Sequence, residues 1–230
     1  VVYNEMKGAF SSPDEVLERY CQAALFPDTT YQYESGGDPE VIPDLTYEEF
    51  LNFHRTFYHP SNSYIYLYGN MDMEEKLNWL DRAYLCHYTE IHVPSEIPCQ
   101  KAFPRPVEQE VFYPLERGES TEGQTWLSVQ WVLGTALDPV LYVAFQVLEY
   151  VLISAPGAPL RKALVDAGLG KDVFGGYRNW ILQPYFSLVA KDTDKERLEE
   201  FRSLVARTLW DLVENGLDPK ALRAGINNLE

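Results

Sequence analysis

Metal chemistry is the first kind of catalysis to consider, because the chain holds four histidines and many carboxylates. His54 and His59 are five residues apart, which is a poor match to the i, i+4 pair that places two imidazoles on one helical face. His59 also precedes Pro60, so we expect it at a helix end in a solvated or capping role. His87 and His92 flank a helix end and a proline-rich segment, and chance explains their placement best.

Patterns for nucleophilic or phosphate chemistry are no clearer. The glycine pairs Gly36-Gly37 and Gly175-Gly176 are typical of turns rather than of ligand loops. The helix dipole and solvation explain the paired carboxylates at helix starts and on polar faces. These pairs are Glu48-Glu49, Glu74-Glu75 and Glu199-Glu200. Residue types and spacing therefore identify no active site, and Glu5 is by itself one surface carboxylate in an acidic chain.

The cysteines bear on the compartment. Cys21, Cys86 and Cys99 are widely spaced and odd in number. None forms a C-x-x-C pair, so the sequence predicts neither a disulfide framework nor a cysteine zinc site. Reduced thiols in the cytoplasm or an organelle matrix are the expectation. The chain opens on Val1 in what reads as a helix, so we expect a piece of a longer protein whose targeting sequence could lie upstream.

The formal net charge of −16 narrows the expected partners. Phosphate binding needs a basic face, so no nucleic-acid partner is expected. Anionic membrane surfaces are disfavoured for the same reason. The longest apolar run, from Pro139 to Pro156, carries Glu149 and is too short to cross a bilayer. Basic or neutral peptides would be attracted, although acidity that serves only solubility explains the charge equally well.

Signals for helices and strands alternate along the chain. Ser12 with Glu15, and Thr46 with Glu49, have the spacing of capping boxes. Together with proline and glycine positions, such signals predict helices at 1–8, 12–25, 46–57, 72–85, 138–153, 159–167 and 195–214, and from 218 onward. Aromatic and β-branched runs predict strands at 63–68, 107–113, 125–133, 173–180 and 185–191.

Strand pairs that alternate with helix pairs predict an α+β fold in two partial units, each a mostly antiparallel sheet with helices packed on one face. The stretch 96–106 contains several prolines and no helical period, which is typical of a linker. We therefore expect one unit at 1–95 and a second at 107–230.

Several segments, taken together in order and spacing, carry a resemblance to a known family. Those before the linker are Asn4-Glu5-Met6-Lys7-Gly8, Ser11-Ser12-Pro13, Leu25-Phe26-Pro27, Tyr33-Glu34-Ser35-Gly36-Gly37-Asp38-Pro39, Leu45-Thr46-Tyr47-Glu48-Glu49-Phe50, Phe53-His54-Arg55 and Tyr58-His59-Pro60-Ser61-Asn62. Those after it are Ala158-Pro159-Leu160-Arg161-Lys162-Ala163-Leu164, Gly168-Leu169-Gly170 and Leu182-Gln183-Pro184-Tyr185-Phe186. Over its whole length the chain resembles the insulinase/pitrilysin family of zinc metallopeptidases, and within it the presequence protease branch.

The resemblance implies a zinc site of which this chain holds one ligand. Enzymes of the family carry an inverted motif, H-x-x-E-H, in which two histidines bind zinc and the glutamate activates the zinc-bound water as general base. A glutamate on a second helix is the third ligand, and the segment around Glu5 matches that helix. The resemblance therefore assigns Glu5 to zinc. It also implies that residues 1–95 are the C-terminal half of the catalytic-type unit and that 107–230 begin a second, non-catalytic unit.

The chain departs from the family in one decisive respect, because H-x-x-E-H occurs nowhere in its 230 residues. In the family this motif precedes the third ligand, so it would lie before Val1. We therefore expect the parent to be a zinc metalloendopeptidase that degrades short unfolded peptides, and this chain alone to be inactive without the missing N- and C-terminal parts of the same protein. Two alternatives stay open: a non-catalytic homologue that serves as a scaffold or peptide-binding subunit, and a structural α+β interaction module with a solvated Glu5.

The first unit is expected to be the less stable one. It would lack the strands with which its own strand normally pairs, so it should be less ordered than the second unit or form a homo-oligomer through unpaired strand edges.

Overall fold

The computed structural model of the chain describes residues 1–229. Within these residues, α-helices and β-strands alternate with short 3₁₀ turns, so the α+β class predicted from the sequence is confirmed. The helices are α1 (Val2–Ala9), α2 (Pro13–Leu25), α3 (Tyr47–Phe57), α4 (Met73–Ala83), α5 (Pro139–Glu149), α6 (Pro159–Asp166), α7 (Leu198–Asn215) and α8 (Pro219–Leu229). The strands are β1 (Thr125–Val132), β2 (Asp172–Arg178) and β3 (Tyr185–Thr193).

The chain divides into two compact units. The first unit contains Val1–Ala9 and Tyr33–Pro98, and the second contains Phe10–Gln32 and the residues from Cys99 onward. The change of unit after Pro98 falls inside the stretch 96–106 that reads as a linker. Residues 10–32, which local patterns group with the first unit, instead fold with the second. This is a long-range association, and helix periodicity carries no information about it.

The second unit is built on a three-stranded antiparallel sheet in the order β1-β3-β2. β1 alternates as its sequence predicts. Leu127 and Val129 lie opposite Ala190 and Leu188 of β3, on the face that carries the main core. A half-buried antiparallel strand has this period of two, because successive side chains point to opposite faces. The main core also takes in buried side chains from the helical segments: Ile153, Leu160, Leu164, Phe201 and Val205.

The pair Gly175-Gly176 lies inside β2, so the interpretation of this pair as a turn is wrong. A side chain at Gly175 would place its Cβ 2.1 Å from the carbonyl oxygen of Ser187 on the neighbouring strand. Glycine is needed here because two backbones approach closely, which is a common reason for a glycine inside a strand.

The apolar segment Pro139–Asp166 has the length and composition of a membrane span. It is not one continuous helix. α5 has 11 residues and continues into a π turn of five, Tyr150–Ser154, after which Ala155 is extended and Gly157 has a φ of +76°. The helical stretch before this break is shorter than the ~20 residues that cross a bilayer core. Val151 and Ile153 of the π turn are buried in the second unit.

One of the two predicted capping boxes forms. Thr46 Oγ1 accepts a hydrogen bond from the Glu49 amide at 3.2 Å, and the Glu49 carboxylate accepts one from the Thr46 amide at 2.8 Å, so the box at the start of α3 is confirmed. The box predicted for Ser12 and Glu15 is wrong, because the Ser12 side chain makes no cap hydrogen bond. Sequence spacing permits a capping box but does not fix the side-chain rotamer that closes it.

The first unit contains helices and 3₁₀ turns but no strand among residues 1–98, so the sheet expected in this unit is missing. The segment 63–68 does not form the predicted strand. Tyr64, Tyr66 and Tyr68 are exposed, and the rings of Tyr66 and Tyr68 stack at 6.4 Å. The alternation typical of a strand is present, but strand structure also needs a partner to take up the backbone hydrogen bonds. No described residue of this chain provides one.

The strand predicted at 107–113 is also absent, although side chains of this segment contact other residues of the second unit. The Tyr113 hydroxyl donates to the carbonyl of Gln124, just before β1. Glu108 pairs with Arg202 of α7 at 3.0 Å. Side-chain contacts therefore hold the segment near the sheet, while its backbone does not enter the ladder.

Candidate functional site

Glu5, the residue assigned to zinc by resemblance, lies in the first turn of α1 and is exposed. A carboxylate at this position interacts favourably with the helix dipole. A structural role therefore explains Glu5 as far as this chain alone is concerned, and its role as a metal ligand stays a prediction.

The helix that carries Glu5 is positioned by a contact with a glycine turn. The side chain of Met6, next to Glu5, lies against Gly36, where a Cβ would come within 2.3 Å of the Met6 sulfur. Gly36 belongs to a turn in which the Gly37 amide donates to the carbonyl of Glu34 at 3.0 Å. The prediction of a turn at Gly36-Gly37 is confirmed. Its contact with α1 joins two of the segments that carried the family resemblance, and neither segment by itself indicated this.

The two histidines nearest to metal-ligand spacing have other roles in the structure. His59 Nδ1 accepts a hydrogen bond from the Ser61 amide at 3.1 Å and caps the 3₁₀ turn Pro60–Asn62, so the capping role predicted for it is confirmed. The His54 ring stacks on Tyr58 with the ring centres 4.6 Å apart.

The described residues do not complete a zinc site. Among residues 1–229, no group of three or more histidine, cysteine, aspartate or glutamate side chains is placed to hold a metal ion. Catalytic zinc needs three converging protein ligands and one open position. The residues of this chain therefore do not by themselves fit the ion, and Glu5 can at most be one member of a larger ligand set.

The second unit contains a polar layer that the sequence did not indicate. It lies between α2 and the face of the sheet opposite the main core, and it consists of Glu18, Cys21, Ser128, Gln130, Arg178 and Tyr185. Cys21 shares a side-chain hydrogen bond with Ser128, and burial raises the pKa of its thiol to about 11. Burial, with Glu18 and Cys21 nearby, raises the pKa of Tyr185 to about 12, against the smaller opposite effect of Arg178. The Cys21 thiol and the Tyr185 hydroxyl are therefore neutral at physiological pH, and Cys21 is a weak nucleophile.

Gln100 is a second residue that sequence reasoning missed. Its side chain accepts from the Asp28 amide at 2.9 Å and donates to the Asp28 carboxylate at 2.7 Å. Its backbone amide donates to the side chain of Gln183, which in turn donates to the Gln100 carbonyl at 3.2 Å. Gln183 belongs to the segment Leu182-Gln183-Pro184-Tyr185-Phe186, so this part of the resemblance reflects how the residues after Pro98 attach to the second unit.

Residues 44–229 match the family model described as the peptidase M16 inactive domain. The whole chain is 46% identical over 230 residues to the protein HypA of Clostridium perfringens and 40% identical over 234 residues to presequence protease 1, chloroplastic/mitochondrial, of Arabidopsis thaliana. It is 34% identical over 233 residues to the mitochondrial presequence protease of Xenopus laevis. The chain covers 24%, 22% and 23% of these proteins, so it spans about a quarter of the length of its curated relatives.

Solved structures share the fold. A peptidase M16 inactive domain from Pseudomonas fluorescens aligns with a TM-score of 0.68 at 20% identity, covering 99% of this chain and 53% of the other. A chain of complex III from Candida albicans aligns with a TM-score of 0.75 at 12% identity, covering 99% and 54%. With the family model and the curated relatives, these findings lead to one conclusion: the chain belongs to the insulinase-type family of M16 peptidases.

Proposed function

We propose that this chain is part of a zinc-dependent endopeptidase that degrades short unfolded peptides, and that Glu5 supplies one of the zinc ligands. The two histidines and the general base would come from other parts of the parent polypeptide. The parent would act in a soluble compartment, either the cytoplasm or an organelle matrix.

The observation that carries the proposal is the similarity to presequence proteases over the full length of the chain. Glu5 is also exposed, so it is free to meet ligands from outside the described residues. The net charge of −16 supports peptides that are basic or neutral, since an acidic surface attracts cations and repels anions. Nucleic acid and anionic membranes remain disfavoured as partners on the same ground.

The test uses the full-length parent protein with Glu5→Gln. Zinc per molecule is measured by elemental analysis after dialysis, and cleavage is followed on an internally quenched, unstructured peptide. We expect the variant to lose bound zinc and at least about 100-fold in kcat/KM, because even changes to residues that only orient a metal ligand cost 10–100-fold. The separate 230-residue chain should show no chelator-sensitive cleavage.

Glu15→Gln is the matched control. Glu15 is an exposed glutamate in the first turn of α2, so the same chemical change is made away from the proposed ligand. It should retain both zinc and cleavage. If Glu5→Gln also retains both, the ligand role of Glu5 is wrong.

A non-catalytic homologue is the second candidate, since the family model that matches residues 44–229 is described as an inactive domain and does not by itself imply an active parent. In that case the chain would belong to a scaffold or peptide-binding subunit. The wild-type parent then holds no zinc after dialysis and cleaves no peptide, while it still binds the same peptide in a fluorescence anisotropy titration.

A further inference from the structure

The face of the sheet beneath α2 carries several polar side chains. Antiparallel register places Gln130 opposite Ser187 and Val132 opposite Tyr185, so Gln130, Ser187 and Tyr185 share this face. Glu18 of α2 pairs with Arg178 of β2 at 3.5 Å at its rim. The opposite face carries the main apolar core. The face beneath α2 therefore mixes these hydrogen-bonding groups with apolar side chains such as Val132 and Val189.

Among residues 1–229, Gln130 Oε1 and the Tyr185 hydroxyl of this layer are buried without a hydrogen-bond partner. Tyr185 is only 2% exposed, and its ring is held edge-on against Phe26 with the ring centres 6.1 Å apart. The Gln130 amide group makes a long contact of 3.4 Å with Ser128 Oγ, which leaves its carbonyl oxygen unmatched. Native proteins rarely leave such groups unpaired, because a buried polar atom without a hydrogen bond has lost its contacts with water and gained nothing in return.

The chemistry of the missing partner is constrained on both sides. Gln130 Oε1 can only accept a hydrogen bond, whereas the Tyr185 hydroxyl can donate one and accept another. A partner that donates to Gln130 and accepts from Tyr185 satisfies both. An anion could not donate, and an ion of either sign would carry a large desolvation cost in this buried layer.

We propose that the polar layer beneath α2 binds an ordered water molecule, which donates to Gln130 Oε1 and accepts the hydrogen bond of the Tyr185 hydroxyl. The register makes the two residues diagonal neighbours on adjacent strands and on the same face, and such neighbours are generally about 7–8 Å apart, within reach of long side chains. Water has the donor, the acceptor and the small size that this position requires. The water is part of the packing of α2 on the sheet.

The sign of a substitution effect tests the proposal. Gln130→Met and Tyr185→Phe each remove one hydrogen-bonding atom with little change of shape, and unfolding of the 230-residue chain by urea at pH 7 gives the folding equilibrium constant. If the water is bound, each substitution lowers this constant about fivefold. The double variant loses less than the product of the two single effects, because both substitutions act through one water. If the two atoms are dry, each substitution removes an unmatched buried group and leaves the constant unchanged or raises it.

Tyr177→Phe is the matched control, since it removes a tyrosine hydroxyl from the opposite face of the same sheet. It should change the folding equilibrium constant by less than about twofold.

A direct measurement keeps the test decisive if a variant folds poorly. In the wild type, the side-chain amide protons of Gln130, assigned by their loss in Gln130→Met, should show cross-relaxation with a long-lived water. No such signal, or substitutions that are neutral or stabilising, would overturn the proposal.

Discussion

Cys21 and Tyr185 show how a few side chains couple the stability of the second unit to pH. Both are acids whose neutral form is favoured in the fold, chiefly because burial penalises their anions. Their raised pKa values follow from the position of α2 over the sheet. The raised pKa values could not be predicted from the sequence, because Cys21 and Tyr185 are 164 positions apart and no local motif links them.

We expect the free energy of unfolding to fall at alkaline pH. The ordinary pKa values are 9.0 for a cysteine and 10.0 for a tyrosine, and in the fold they rise to about 11 and about 12. The contribution is fully present below about pH 9 and is lost between pH 9 and 12, because the unfolded chain releases these protons first. The loss should be on the order of 2 kcal/mol for each group.

Urea unfolding at half-unit steps from pH 7 to 12 measures this dependence. Cys21→Ala should remove the part that starts near pH 9, and Tyr185→Phe the part that starts near pH 10. If the free energy of unfolding falls with pH as steeply in both variants as in the wild type, the assignment to Cys21 and Tyr185 is wrong.

Helix starts show what local sequence can and cannot determine at the scale of an element. The α3 box was predictable because Thr46 and Glu49 interact within one turn and need nothing from elsewhere. The same spacing at Ser12 and Glu15 produced no cap, although α2 still begins at Pro13. Strands depend on partners even more strongly. β1 was predictable by its alternation and β3 by its aromatic and β-branched residues, and the two strands pair. The segment 63–68 has the composition of a strand but no partner.

Thr46→Ala should destabilise α3 by about 1 kcal/mol, because it leaves the Glu49 amide without its cap. The same box lowers the pKa of the Glu49 carboxyl, chiefly through the hydrogen bond from the Thr46 amide. Amide exchange of α3 measures the loss of protection. Ser12→Ala is the control at the start of α2, where no cap hydrogen bond is present to lose, and protection of α2 should be almost unchanged. Equal losses in both helices would argue against capping as the cause.

At the scale of the whole molecule, burial is distributed unevenly. Both clusters of buried apolar side chains belong to the second unit. In the first unit, Val93 is the buried apolar residue among those described, at 8% exposure. The two-unit organisation was foreseeable from composition, because prolines interrupt the elements near residue 98. The assignment of α2 to the second unit was not, since it rests on contacts with strands more than 100 residues away.

We expect amide exchange in the isolated chain to be much faster in the first unit than in the second, because burial of apolar surface supplies most of the stability of a fold. Hydrogen–deuterium exchange read by mass spectrometry at two protein concentrations provides the measurement. If unpaired edges such as 63–68 join two copies, protection of the first unit should rise with concentration. Uniform protection at low concentration, in a strict monomer by analytical ultracentrifugation, would contradict this expectation.

The contact between Met6 and Gly36 has a consequence for protein engineering. Position 36 lies in a surface turn, where libraries usually admit many amino acids. Here a Cβ would come within 2.3 Å of the Met6 sulfur, so any residue other than glycine forces the flexible end of the Met6 side chain to move. The packing between this turn and α1, the helix that carries Glu5, would have to be rebuilt around the new side chain. Position 36 is therefore a place to keep as glycine, or to vary together with Met6, when the turn is redesigned.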